Sequence, residues 1–403
     1  MSSSPTDTTP AADAAALPDA SVASVASVAP VAETAAIEPA EDDKATDSGR
    51  LKSKFVHLHL HTEFSLLDGG NRVRKLVERV KELGMDAVAV TDHGNMFGAV
   101  AFYTAAKDVG IKPILGIEAY VAVGDRRDRR QTGIRDGGFH LVLLAENEQG
   151  WRHLMKLSSD SFANGFYYKP RMDKSTLEQW SEGIVAINGH LGSSLAYHLL
   201  KYDQTGKEEH WNNAVEEAEW HKKTFGTNER GEPCFYIELQ RHETADQDAI
   251  NPHLVRLARE LDLPLVCDND AHFLTADDWD THDTICCISM NKQKHDEDRL
   301  KYQPHLYVKS PEEMCELFSD FPEAIENTVR IAERCNVEID FTKNYAPVVK
   351  PIIPAEQQEF EGGDRTAWFK RYCDDFSLEP FDQVSDADVS EEELKERGDE
   401  ALR

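Results

Sequence analysis

The chain has 403 residues, 40% of them apolar and 29% charged, and a formal net charge of −30. That length allows two or three units with ample core, while the acidity excludes attachment to nucleic acid by overall charge, because phosphate contacts need Lys and Arg. No apolar run approaches the roughly 20 residues of a membrane span, and seven Cys, an odd number without a Cys-x-x-Cys pair, make no disulfide framework and fit a reducing cytoplasm. Residues 1–50 carry nine acidic against two basic side chains and no aromatic, so 1–53 reads as a disordered low-complexity tail. That stretch has neither the basic start and apolar core of a signal peptide nor the Arg of a transit peptide.

From residue 55 short apolar runs at 55–61, 86–91, 113–123, 139–145, 183–188, 234–240 and 264–268 alternate with amphipathic segments. The segments fall at 71–83, 99–109, 149–161, 195–200, 211–225 and 252–261. In the first of them Val73, Leu76, Val77, Val80 and Leu83 share one face, with Asn71 as the expected N-cap and Gly84 as the stop. Seven strands separated by helices predict an α/β fold of parallel βα units closed as a barrel over 54–300. Residues 301–345 read as a helical annex, with Ser310-Pro311-Glu312-Glu313 as a helix start and helices at 312–318 and 322–335. From 346 to 403 the sequence turns Pro-rich and then acidic, which reads as a linker or the start of a further domain.

The first run is His57-Leu58-His59-Leu60-His61, and strand alternation would set its three imidazoles on one face. The other runs carry the same residue types, mostly at their C-terminal ends. They include Thr91-Asp92-His93-Gly94, Glu118, His140 at a strand start, Asn188-Gly189-His190 and Asp268-Asn269-Asp270-Ala271-His272, with Asp68 in the first loop. In a βα barrel those ends converge on one rim. His, Asp and Glu on six of seven strand segments therefore point to a polynuclear metal site. With four to six ligands per ion and some bridging, such a set accommodates two or three divalent cations. Its imidazole content suits Zn²⁺ or Mn²⁺ best, with Fe²⁺ or Mg²⁺ open. Paired metals activate water and clamp a phosphate, so the reaction class is phosphoester hydrolysis.

Several runs carry a resemblance. The stretch 55–69 (FVHLHLHTEFSLLDG), Thr91-Asp92-His93-Gly94-Asn95-Met96-Phe97-Gly98 and Gly110-Ile111-Lys112-Pro113-Ile114-Leu115-Gly116 are similar to the PHP (polymerase and histidinol phosphatase) domain of bacterial DNA polymerase III alpha subunits. So are Tyr168-Lys169-Pro170-Arg171, Asn269-Asp270-Ala271-His272, Lys309-Ser310-Pro311-Glu312-Glu313-Met314 and Ile331-Ala332-Glu333-Arg334-Cys335-Asn336. The match covers about 54–345. It implies a distorted seven-stranded (β/α) barrel and a trinuclear site held by His59, His61, Asp68, His93, Glu118, His140, His190, Asp270 and His272. His57 falls outside that set and is expected to pack behind it. His190 stands where the family often has Cys. The resemblance further implies metal-dependent 3′–5′ exonuclease action on a DNA 3′ end, association with the rest of the alpha subunit and its holoenzyme, and a cytoplasmic setting. A nucleotidyl-transfer site is not expected, because 345–403 holds no Asp-x-Asp pair in a strand pattern.

Lys169 and Arg171 are candidates for steering a DNA end, and His242 for a substrate contact or a donor behind the ligands. Phe166, Tyr167 and Tyr168 read either as base-stacking aromatics or as core. Arg126, Arg127, Arg129 and Arg130 read as a solvated loop in preference to one that meets a phosphate backbone near the rim. Two alternatives stand beside the nuclease: a phosphatase acting on a small phosphomonoester, and a non-catalytic scaffold stabilised by metal.

Overall fold

The computed structural model describes residues 51–134 and 137–342, together with the backbone of two short paired strands, Val349–Pro351 and Phe376–Leu378. The expected tail at 1–53 lies outside the described residues up to Arg50, as does most of 346–403. Seven strands, β1 (Ala87–Val90), β2 (Lys112–Val121), β3 (Phe139–Ala145), β4 (Arg171–Met172), β5 (Ile184–Asn188), β6 (Phe235–Leu239) and β7 (Leu265–Cys267), form one curled sheet. Its order is β1-β2-β3-β5-β6-β7, and the short β4 pairs with β2. The segment 57–61 joins the two ends: Ala89 N donates to His57 O (2.8 Å) and Thr91 N to Leu60 O (2.9 Å) on one side, and His61 N donates to Ala271 O (2.9 Å) on the other. The result is the distorted α/β barrel.

Three features depart from the regular barrel that periodicity predicts. First, β3 runs antiparallel to both neighbours, β2 and β5. Among the described residues no α-helix lies in the connection from β2 to β3, and a parallel return needs a crossover. The reversal puts the start of β3 on the rim where the other strands end, with His140 opposite Tyr120 of β2. Second, 55–61 is not a regular strand. The Asp268 carboxylate takes the N–H groups of Leu58 (2.6 Å) and His59 (3.0 Å), displacing ladder bonds. The chain bends at His59, so Leu58 packs inside the barrel while Leu60 packs in the outer layer, instead of the two sharing a face. Third, Asn71 is not the N-cap of α1 (Val73–Glu82); that position is Arg72. Asn71 is buried and donates to His61 O and Ala271 O, tying the joining segment to the far strand.

The remaining helices are α2 (Ala99–Val109), α3 (Glu148–Ala163), α4 (Lys174–Gln179), α5 (Ser194–Thr205), α6 (Glu208–Phe225), α7 (Ala245–Glu260), α8 (Trp279–Met290), α9 (Pro311–Leu317) and α10 (Pro322–Arg334). Helix α7 begins at Ala245 rather than Pro252, which sits inside it. The early turns, with Gln247 and Ile250 buried, were masked by their acidic neighbours. Sequence patterning also omits α4, α8 and β4, each too short or too weakly amphipathic to show a period.

Two apolar layers hold the molecule. Inside the barrel, Val56, Leu58, Ala87, Ala89, Ile114, Val142, Leu144, Val185, Ile187 and Val266 pack together with Ile331, Ala332 and Cys335 of the annex. The annex therefore plugs one end of the barrel and shares its core. Outside, alternate strand residues such as Val88, Leu115, Ile117, Leu143 and Ile237 pack against the helices. Helix α9 starts at the Ser310–Glu313 capping box, as its sequence indicates. Among the described residues no helix is long and apolar enough to cross a membrane.

Candidate metal centre

Once the interior alternation of β2 reaches Glu118 and that of β6 reaches Glu238, the apolar filling gives way to polar side chains. Asp68, on the loop that precedes α1, and His93, after β1, stand on the same rim as Glu118, His140, His190, Asp270 and His272. His59 and His61 enter from the joining segment. Two glycines allow the crowding. Gly94 has φ +64°, and a Cβ there would lie 2.8 Å from the Tyr120 ring; Gly189 has φ +156°, and its Cβ would meet Glu238 O at 2.3 Å.

The nine side chains that the resemblance nominates are brought together. Three overlapping triads, His61/His93/His272, His59/His61/Glu118 and His93/Glu118/His140, each present donor atoms within 4.8 Å of one another. Asp270 Oδ1 joins them at 3.3 Å from His59 Nε2 and 3.0 Å from His61 Nε2. His190 Nε2 lies 3.4 Å from Glu118 Oε1, and Asp68 Oδ2 lies 3.5 Å from His93 Nε2. His93 Nδ1 and His61 Nε2 also approach Glu118 Oε2, at 2.6 and 3.2 Å, yet His59 Nε2, His61 Nε2, His93 Nδ1, His190 Nε2, His272 Nε2, Asp68 Oδ1, Glu118 Oε2 and Asp270 Oδ1 are buried and none makes a well-formed hydrogen bond. Buried polar atoms are normally satisfied. Eight orphans converging on one pocket fit a set of divalent cations as their common partner.

The far sides of the rings are engaged. His59 Nδ1 is 2.9 Å from Glu238 Oε1, which also accepts from Gln240 Nε2 at 2.8 Å. His61 Nδ1 is 3.0 Å from Ser65 Oγ, whose hydroxyl donates to Asp92 Oδ1 at 2.8 Å. His272 Nδ1 donates to Asp270 O at 2.7 Å. Each arrangement puts a proton on Nδ1, so that in the neutral ring the Nε2 lone pair faces the pocket, as metal ligation requires. Burial pushes the His190 and His272 rings down to about 3, so both are neutral. Burial also opposes the charge on Glu118, Asp68 and Asp270, yet the surrounding imidazoles outweigh it and hold all three well below the usual carboxylate range. For His59 and His93 the same contest raises the ring: burial disfavours the imidazolium, and Asp270, Glu238 and Glu118, or Asp68 and Glu118, favour it more.

His57 turns away from the pocket, with Nδ1 3.4 Å from Asp268 Oδ1 and Nε2 donating to Lys309 O at 3.0 Å. His242 is buried behind the rim with Nε2 on Asn269 O at 3.1 Å. Lys169 is half-buried, its Nζ donating to Tyr120 Oη at 3.2 Å, and the Tyr120 ring packs on His140 at 4.9 Å. Arg171 corrects the expectation of a DNA-steering group. It is 2% exposed, and its guanidinium donates to the carbonyls of Gly165, Arg126 and Asp128, so it braces a loop. Of the arginine cluster, Arg126 is bound to Asp160 and Asp173, Arg127 to Asp125 and Arg130 to Asp128.

Sequence reasoning missed Glu238, Gln240 and Tyr302. Tyr302 Oη donates to Asp68 Oδ2 at 2.9 Å and its ring lies over His272 at 4.5 Å. A signal existed for the first two: in Phe235-Tyr236-Ile237-Glu238-Leu239-Gln240 the polar residues alternate within an apolar run. Tyr302 has no such signal.

Residues 57–242 match the PHP domain family model. The DNA polymerase III subunit alpha of Borreliella burgdorferi is 44% identical over 307 residues, 76% of this chain and 25% of that one. The subunit of Campylobacter jejuni is 42% identical over 335 residues, 80% and 27% of the two chains. That of Treponema pallidum is 38% identical over 352 residues, 87% and 28%. The chain thus spans about a quarter of the length of the curated relatives it matches.

Proposed function

We propose, for a chain that carries a PHP domain and is related to bacterial DNA polymerase III alpha subunits, that the rim pocket is a metal-dependent phosphodiesterase acting on the 3′ end of DNA. His59, His61, Asp68, His93, Glu118, His140, His190, Asp270 and His272 would hold two or three divalent cations. Zn²⁺ or Mn²⁺ best suits an imidazole-rich set with three carboxylates. Bound cations would supply activated water and neutralise charge on the phosphate. The protein's own part is orientation: Glu238, the Ser65–Asp92 pair and the Asp270 carbonyl keep the Nε2 atoms of His59, His61 and His272 aimed inward. Glu118 sits among His59, His61, His93, His140 and His190, where its carboxylate would help hold the cations.

The observation that carries this reading is the set of eight buried donor atoms that face one another without a well-formed hydrogen bond. Its test is a 3′-labelled single strand incubated with protein reconstituted in Mn²⁺ or Zn²⁺. Release of labelled mononucleotide is expected. Full metal occupancy with the strand left intact, or phosphate released only from a small monoester, contradicts it. In its full setting we place the domain beside the remainder of a replicative polymerase, in the cytoplasm, with DNA as the shared ligand.

A further inference from the structure

We propose that the loop between α3 and β4 is a seat for an unpaired nucleobase, with Tyr168 as its stacking surface; this rests on the phosphodiesterase reading and narrows the substrate to single-stranded ends. Tyr168 has φ +61° and is 76% exposed. A bulky residue in the left-handed region is strained, and an exposed aromatic gains nothing from burial to offset that strain. The loop is nevertheless firmly built. Tyr167 N donates to Lys169 O at 3.1 Å, closing a tight turn with Tyr168 at its apex. Beneath it the buried Arg171 guanidinium ties the loop, through Gly165 O, to the carbonyls of Arg126 and Asp128 in the neighbouring connection. The Tyr167 ring meets Tyr168 edge-on at 4.6 Å, limiting how the phenol can turn. Surroundings that stabilise a strained, solvent-facing aromatic point to a contact with something outside the fold.

The loop adjoins the metal centre. Pro170 packs so closely on Gly94, next to His93, that a Cβ there would lie 2.9 Å from Pro170 Cγ. Lys169, between Tyr168 and Pro170, reaches Tyr120, whose ring packs on His140. A ring on the outside, an ammonium next to it and the ligand cluster further in match the order base, phosphate, scissile phosphate at a strand end. Base–aromatic stacking tolerates any base, and a lysine beside it complements the backbone charge. A small phosphomonoester offers nothing for Tyr168 to hold.

The test uses an oligonucleotide with 2-aminopurine third from its 3′ end, whose fluorescence falls on stacking, bound to wild-type, Tyr168→Ala, Tyr168→Phe and Tyr168→Gly proteins without added metal. Wild type and Tyr168→Phe should quench the probe. Tyr168→Ala should lose the quenching and bind about ten-fold more weakly. Tyr168→Gly, which relieves the positive φ, should melt at a higher temperature while losing the quenching, an outcome that separates a binding role from a structural one. Equal quenching and affinity in all four proteins overturns the proposal and leaves the loop to a protein partner. Cleavage is scored separately with Mn²⁺: an uncut strand that still quenches refutes the phosphodiesterase reading, not the base seat.

Discussion

Glu238 and His59 form a buried carboxylate–imidazole pair, Oε1 to Nδ1 at 2.9 Å, in which neither residue is exposed and the second carboxylate oxygen has no partner. Burial raises the Glu238 carboxyl, and His59 beside it pulls the other way without reversing the rise. The pair fixes the His59 tautomer. We expect Glu238→Gln to keep the fold and lower metal affinity by about ten-fold, since partners behind a ligating His typically contribute that much or more. Isothermal titration with Mn²⁺ or Zn²⁺ checks this, and unchanged affinity would remove Glu238 from the account.

Metal removal should cost stability as well as activity. The nine clustered side chains carry three ionised carboxylates and raised imidazoles at His59 and His93, an arrangement that compensates itself incompletely. Chelation with EDTA is expected to lower the melting temperature, and added divalent metal to restore it by an amount that grows with its concentration. A melting temperature indifferent to both would contradict a bound state.

Away from the centre, His221 links stability to pH. Its Nδ1 donates to Glu217 O, its Nε2 accepts from Asn188 Nδ2, and its ring stacks on Phe235 at 5.0 Å. Burial pushes it down to about 4, so the folded protein refuses a proton that the unfolded chain accepts near 6.5. The unfolded state therefore binds more protons between those values, and stability falls as pH drops from about 6.5 toward 4, by at most about 3 kcal/mol from this ring. Urea unfolding of His221→Gln should show a shallower pH slope there than wild type.

The annex should be inseparable from the barrel. Arg334 of α10 places Nε 2.9 Å from Glu146 Oε1 at the end of β3, and both are 7% exposed. Asn228 Nδ2 donates to the same carboxylate at 2.7 Å. Arg334→Ala leaves a buried carboxylate short of its charge partner and should destabilise by about 3 kcal/mol. Denaturant unfolding measures this, and Glu146→Gln in the same chain should recover part of the loss.

The sequence exposed the site better than the fold around it. His59, His61, His93, His190 and His272 stand at strand ends, where a barrel collects chemistry, and carry that signal locally. His140 at a strand start was the clue to a reversed strand, but direction depends on which neighbours pair, a long-range property that periodicity in 139–145 does not encode. The bend at His59 escaped for the same reason: Asp268, 209 residues away, takes that N–H. Glu238 alternates visibly in its run, while Tyr302 reaches Asp68 from an irregular segment with no period at all. Arg171 shows the opposite failure. A basic residue beside a nominated site suggested a ligand contact, and only its three carbonyl partners reveal a brace.

The most direct test of shared cations is anomalous diffraction from crystals of the protein soaked in Mn²⁺. Two or three peaks are expected inside the pocket, each within coordinating reach of atoms among His59, His61, Asp68, His93, Glu118, His140, His190, Asp270 and His272. Well-ordered crystals with those side chains in place and no peak between them, at saturating metal, would contradict the account.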